Sequence, residues 1–143
     1  MTTKEYLLQV NRSRRALKSY EEEIERLQNE AAGLRAITYD TDRVQVSPDD
    51  NMLIAVARLM DIEAKYVDAI SVRHDLILKI TNQINGMANQ DYAEILRLRY
   101  LATDREGKLL TWTAISHRIH RSLDWTWHMH GRALQAFGKQ YLQ

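Results

Sequence analysis

Long runs of apolar residues at helical spacing, with few positions that interrupt them, constrain the fold of this chain more than any other feature. Its 143 residues include five glycines and one proline, so residues that break regular backbone structure are scarce. The alternation of β-branched and polar residues that marks a half-buried strand is nearly absent. The sequence therefore predicts an all-α fold.

The first long helix is predicted from a heptad pattern that begins near residue 3. One register holds Val10, Leu17, Ile24 and Ala31, and the other holds Tyr6, Tyr20, Leu27 and Leu34, with Ser13 as a polar exception. Apolar residues at this spacing are typical of coiled coils. The pattern breaks over residues 38–47, where polar side chains predominate.

A second long helix is predicted to begin at Ser47 and Pro48, because serine caps helices and proline suits a first helical turn. Asp49 and Asp50 complement the positive end of the helix dipole. Its apolar stripe comprises Met52, Val56, Leu59, Tyr66, Ile70, Ile77, Ile80, Ile84 and Met87, widened by Leu53, Met60 and Val67. A connection of about ten residues lets the two helices pair as a long antiparallel, coiled-coil-like hairpin.

The hairpin is predicted to occupy residues 1–88. Because two helices alone leave part of so wide an apolar stripe in water, we expect this segment to form a homo-oligomer, either a dimer or a larger assembly. The alternative is a spacer or core element. Gly86 and Asn89 weaken helix and mark the boundary to a second segment, residues 89–143.

The second segment opens with a short helix over residues 91–101, whose Ile95, Leu98 and Leu101 share one face. Residues 103–108 are polar and predict a loop. Trp112 follows this loop, and we expect it to lie in the core.

Two further helices complete the segment. Thr111 is expected to cap a helix that reaches Ile119, and Ser122 to cap a helix from Leu123 to about Tyr141. The three residues between these helices form a turn. Two helices joined in this way, the second of them basic, indicate a helix-turn-helix.

The last helix is predicted to have one buried and one outward face. At about 100° per residue, the core face is centred on Thr126. It also holds Leu123, Met129, His130, Ala133, Leu134 and Phe137, while the outward face holds Asp124, His128, Arg132 and Gln135. Trp125 and Trp127 lie about 200° apart, so at least one of them must be partly exposed.

The outward face suggests how the helix could read DNA. Polar side chains near a recognition helix N-terminus suit base edges, which indicates Asp124 and His128. Cations and hydroxyls suit phosphates. The phosphate candidates are Arg118, Arg121, Ser122 and Arg132.

The segment from Tyr92 to Leu134 reads YAEILRLRYL, then TWTAISHRI, then RSLDWTWHMHGRAL. It resembles small phage and prophage regulators of the ArpU and RinA type and, more distantly, region 4 of bacterial sigma factors. The slots of that pattern are occupied by Arg99 to Leu101, Thr111 to Ser116, Ser122, Thr126, Met129, His130, Ala133 and Leu134. The turn position that usually holds glycine is His120 here.

The resemblance implies a sigma factor region 4-like helix-turn-helix in a transcriptional regulator that binds promoter DNA. It further implies control of phage late or packaging genes and contact with host RNA polymerase. It adds Trp127 to the base-reading candidates Asp124 and His128. Two alternatives stay open: an oligomeric packaging or adaptor protein similar to a small terminase subunit, and a polymerase-binding factor without its own DNA readout.

Enzymatic chemistry is not indicated. The sequence contains no cysteine, no Gly-x-Ser-x-Gly setting and no glycine-rich phosphate loop. Four histidines lie between residues 111 and 143, but His128 and His130 fall on different helical faces, so a metal site is not expected. We predict no enzyme activity, no cofactor and no metal.

Charge and hydropathy guide the expected partners and location. Residues 111–143 carry four basic side chains against one acidic, whereas the whole chain has a net charge of only +1. This local excess favours double-stranded DNA as a partner. Without a signal peptide pattern or an apolar run of about 20 residues, the chain is expected in the host bacterial cytoplasm, away from membranes.

Overall fold

Five helices make up the computed structural model, which describes residues 1–43 and 50–143, with side chains for 1–36 and 52–143. They are α1 (Thr3–Arg43), α2 (Asp50–Asn85), α3 (Gln90–Leu96), α4 (Trp112–Ile119) and α5 (Leu123–Tyr141). A π-helical turn (Arg97–Leu101) continues α3. No strand occurs in these described residues, so the all-α prediction is confirmed for them. Within the same residues, no helix has both the length and the apolar character needed to cross a membrane.

The helix α1 begins with a reciprocal cap and runs further than predicted. The amide of Thr2 donates to the Glu5 carboxylate (2.8 Å), and the amide of Glu5 donates to the Thr2 hydroxyl (3.2 Å). Helical backbone continues to Arg43, so the predicted break at residues 38–47 is wrong for its first six residues. The predicted start of the second helix at Ser47 and Pro48 lies outside the described residues.

Two compact units divide the chain. One, the C-terminal unit, combines Met1–Arg14 with His74–Gln143, and the other, the long-helix unit, is Arg15–Arg73. The start of α1 and the end of α2 thus belong to the same unit as α3, α4 and α5. The functional division into residues 1–88 and 89–143 stays a prediction, because compactness alone does not assign function.

Within the long-helix unit, side chains of α1 contact side chains of α2. In this unit the buried apolar residues of the described part of α1 are Leu17, Leu27 and Ala31, all on the predicted heptad registers. Later residues of α1 contact earlier residues of α2: Tyr20 packs on Tyr66 (5.5 Å between rings), Gln28 donates to Glu63 (2.9 Å) and Arg35 donates to Met60 (3.4 Å). The heptad pattern therefore identified the face of α1 that α2 covers.

The C-terminal unit has the fully buried core. Its residues come from the start of α1, the end of α2 and the connection after it, α3, the π turn and α5: Leu7, Val10, Ile80, Ile84, Met87, Ala93, Leu96, Tyr100, Ala133 and Phe137. Leu7 lies off both heptad registers and was not predicted to be buried, because a two-helix pattern does not include α5, which approaches the start of α1 where Tyr6 packs on Phe137.

The π turn changes which residues of the short helix are buried. Ile95, Leu96 and Tyr100 are buried, whereas Leu98 and Leu101 are only partly covered, so the predicted shared face is wrong in part. The amide of Ala102 donates to the carbonyl of Arg97 (2.8 Å), a bond that spans five residues and rotates the face relative to an α-helix.

Candidate nucleic-acid interface

The connection between α4 and α5 is a tight left-handed turn. His120 adopts φ 55° and ψ 44°, and its amide donates to the carbonyl of His117 (3.3 Å). The amide of Arg121 donates to the carbonyl of Ser116 (3.1 Å), which completes a Schellman motif. A histidine therefore fills the position that glycine most often occupies, at the cost of an uncommon backbone conformation.

Side-chain caps define where both helices begin, as predicted. The hydroxyl of Thr111 accepts a bond from the amide of Ala114 (3.2 Å), and the hydroxyl of Ser122 accepts one from the amide of Trp125 (3.1 Å). Because the Ser122 oxygen accepts, its hydroxyl proton can still donate to an external acceptor. Ser122 is exposed, so such an acceptor can reach it.

The helix α5 has the two faces that its pattern predicts. Thr126, Ala133 and Phe137 are buried, and the predicted outward residues Asp124, His128, Arg132 and Gln135 are all exposed. Asp124, His128 and Arg132, together with Trp125 and Met129, line a shallow open groove of about 230 Å³. The sequence-predicted polar residues of α5 thus share one accessible surface.

Arg118 and Arg121 are exposed beside this surface. The guanidinium of Arg121 lies 4.9 Å from the centroid of the Trp125 ring, within cation–π distance. Sequence reasoning missed this pairing, although the separation of four residues around the start of a helix is the signal that could have revealed it. The stacking restricts the orientations open to the Arg121 side chain.

Two carboxylates limit the positive surface. Asp91 and Glu94 of α3 line a cavity of about 150 Å³ with Arg121 and Trp125, and Ile95 and Ile119 complete its wall. They come from a helix about 30 residues earlier in the chain, so no local pattern connects them with α5. A polyanion that contacts Arg121 would be repelled from this side.

The three tryptophans differ in exposure. Trp127 keeps 47% of its surface exposed, which confirms that Trp125 and Trp127 are not both buried. Trp112 is only partly buried, so its placement in the core is wrong. The guanidinium of Arg99 lies 4.4 Å from the centre of the Trp112 ring, and the ring of His130 lies 4.6 Å from it. A cation therefore covers one face of Trp112, where a core position would have an apolar neighbour.

His130 is a structural residue and not part of the outward surface. Its Nε2 is 2.8 Å from the hydroxyl of Tyr100, and the two rings stack. Burial, together with the nearby charge of Arg99, lowers the pKa of His130 to about 4. Burial raises the pKa of Tyr100 to about 12, so both partners are neutral near pH 7. His130 thus lies partly buried on the predicted core face of α5, where it is hydrogen-bonded.

Neither a cluster of metal-binding side chains in the described residues nor similarity to known proteins indicates a function. In the part of the chain that the structure describes, no three His, Cys, Asp or Glu side chains are grouped so as to hold a metal ion. Comparison with protein-family models, with curated proteins and with solved structures found no match. The outward surface of α5 and its neighbouring arginines are therefore the features that bear on function.

Proposed function

We propose that the protein is a transcriptional regulator that binds duplex DNA through α4 and α5. In this proposal α4, the turn at His120 and α5 act as a helix-turn-helix of the sigma factor region 4 type, with α5 in the major groove. Control of phage late or packaging genes, and contact with host RNA polymerase, follow from the resemblance to ArpU and RinA regulators.

The observation that carries this proposal is the accessible face at the start of α5. Asp124 and His128 are exposed there, with Arg118, Arg121 and Arg132 exposed around them. Base-edge contacts require polar side chains that nothing else in the chain covers, and phosphate contacts require cations at the margins. Both requirements are met on one short surface.

Each candidate residue has a role in the complex. Asp124 accepts from the amino group of cytosine, and His128 contacts a neighbouring base edge. Trp127 supplies an apolar contact to a thymine methyl group or a sugar. Arg121, oriented by Trp125, contacts a phosphate, and the hydroxyl of Ser122 donates to another.

Self-association through the long helices, paired as a hairpin, completes the proposal. Several apolar residues of α2 are exposed in the single chain, among them Leu53, Met60 and Val67. Contact between copies would cover them and would bring two or more α5 helices to spaced sites on one DNA molecule.

The proposal is tested by electrophoretic mobility shift with promoter fragments from the genome that encodes the protein, over a range of salt concentrations. Arg121→Ala should weaken binding to every sequence and reduce the salt slope by about 1, because one phosphate contact is lost. Arg15→Ala, an exposed arginine of the long-helix unit, is the matched control and should bind as the unmodified protein does.

Base reading is tested with selected sites in the same assay. His128→Ala should change the preferred sequence, with a loss of about 1–3 kcal/mol on the best site and little loss on unrelated DNA. Equal losses on all sequences would contradict its role as a base reader. No shift on any fragment at low salt overturns the DNA proposal, and the half-exposed Trp127 would then favour a protein partner such as RNA polymerase.

A further inference from the structure

One side of α2 in the long-helix unit presents an apolar face with acidic margins. Leu53, Met60 and Val67 recur every seven residues and keep 53%, 51% and 52% of their surfaces exposed. Met60 and Val67 line a groove of about 400 Å³ whose other residues are Glu63, Ala64 and Asp68. We call it the acidic groove, because its lining includes two carboxylates; the guanidinium of Arg35 reaches it only at Met60 (3.4 Å to the sulfur).

A second groove lies on nearly the opposite side of α2. It measures about 330 Å³ and is lined by Tyr20, Ile62, Lys65, Tyr66 and Ala69, so its one charged residue is a lysine. We call it the basic groove. Ile62 and Ala69 follow Met60 and Val67 by two residues, which is about 200° around a helix.

The acidic groove does not suit a copy of itself. Two antiparallel copies that met through it would bring Asp61 of one chain beside Asp68 of the other. Two parallel copies would bring Glu63 beside Asp68. Either two-fold arrangement places like charges at the edge of an apolar contact, where they repel most strongly because water is partly excluded.

The acidic groove does suit the basic groove of a second copy. When neighbouring copies have parallel α2 helices, the Asp61 and Asp68 edge of one copy lies on the same side as Arg58 and Lys65 of the next. Opposite charges then flank a contact in which Met60 and Val67 meet Ile62 and Ala69. Both the apolar surface and the charges are complementary.

We propose that the long-helix units associate through the acidic groove of one copy and the basic groove of the next. Because the two surfaces differ, every copy keeps one free groove of each kind until the chain of contacts closes. The assembly is a ring or an open array of three or more copies and not a two-fold dimer. This inference gives a geometry to the self-association proposed above and rests on it, but it does not depend on DNA binding.

The full-length protein and three charge-reversal variants test this geometry by native mass spectrometry and light scattering. Lys65→Glu and Asp68→Lys should each weaken assembly by about tenfold, because each places like charges across the contact. The double variant K65E/D68K should recover most of the assembly, since the charges are exchanged in every copy. Glu22→Lys, an exposed acid on the outer side of α1, is the control and should assemble normally.

The possible outcomes separate this geometry from the broader proposal. Three or more copies, weakened by both single reversals and restored by the double reversal, support it. A dimer that Asp68→Lys strengthens overturns the geometry and leaves self-association intact, because relief of Asp–Asp repulsion identifies a two-fold contact. A monomer at all concentrations overturns both. Circular dichroism of each variant verifies that helix content is unchanged, so that loss of assembly is not loss of folding.

Discussion

His130 lies on the predicted core face of α5 and has a structural role in the fold. It belongs to a cluster of histidines near the proposed DNA-binding surface, yet its ring packs between Tyr100 and Trp112. Its nitrogen is bonded to the Tyr100 hydroxyl, and Arg99 lies over Trp112. Protonation there would introduce a second positive charge into a partly buried cluster.

The unfolding free energy should therefore fall in acid. The pKa of His130 is about 4 in the folded chain, against an unperturbed value of 6.5, so the unfolded chain binds the proton first. The stability that neutral His130 provides is complete above pH 6.5 and is lost as the pH falls toward 4. After allowance for its partial exposure, the loss is about 2 kcal/mol.

Urea unfolding at several pH values measures this effect. The variant Tyr100→Phe/His130→Phe keeps two rings in place without either polar group, and it should show a smaller loss between pH 6.5 and 4. An identical pH dependence in both proteins would mean that other groups cause the acid sensitivity.

At the scale of elements, α5 serves both the core and the proposed DNA surface. Its two glycines have different surroundings, although both lie within the helix. A Cβ atom at Gly138 would lie 2.7 Å from the Thr3 hydroxyl, whereas one at Gly131 would meet nothing within 4 Å. Gly138 therefore permits the close approach of α1 to α5, and Gly131 does not have such a role.

Alanine substitutions should distinguish these two glycines. Gly131→Ala should stabilise the protein by about 0.5–1 kcal/mol, because alanine loses less backbone entropy in a helix. Gly138→Ala should destabilise it by about 1 kcal/mol, because the added methyl group clashes with Thr3. The double variant Thr3→Ala/Gly138→Ala removes the clashing hydroxyl and should recover the loss in urea unfolding. Failure to recover would place the strain elsewhere.

The whole molecule combines two units whose proposed roles differ. The C-terminal unit presents α5, and the long-helix unit carries the acidic and basic grooves. If both proposals hold, assembly raises DNA affinity without any new contact at the recognition helix, because neighbouring sites on one DNA molecule are then bound by linked copies.

Lys65→Glu should therefore weaken binding to long DNA selectively. On a promoter fragment with room for several copies, the affinity should fall by about tenfold for each contact between copies that is weakened. On a short duplex that holds one copy, the affinity should be unchanged. Lys65→Arg keeps the charge and serves as the control, while equal losses on both lengths would indicate that Lys65 contacts DNA itself.

Local sequence patterns predicted much of the candidate site. The caps at Thr111 and Ser122 and the two faces of α5 follow from helix-capping preferences and from a period of 3.6 residues. The turn at His120 could be expected from the sequence, but its left-handed conformation could not. That conformation accompanies two hydrogen bonds, from the amides of His120 and Arg121 to the carbonyls of His117 and Ser116. Asp91 and Glu94 could not be placed beside Arg121, because only packing of α3 against the later helices brings them together.

The sequence alone determined that this chain is helical and which stripe of α1 and which face of α5 turn inward, because hydrophobic periodicity is a local property that survives in any packing. Only the tertiary structure decided that the start of α1 and the end of α2 share a core with α3 and α5. It also decided that Leu7 is buried while Leu53, Met60 and Val67 are exposed. Burial of an apolar side chain depends on which neighbour covers it, and that neighbour is distant in the sequence.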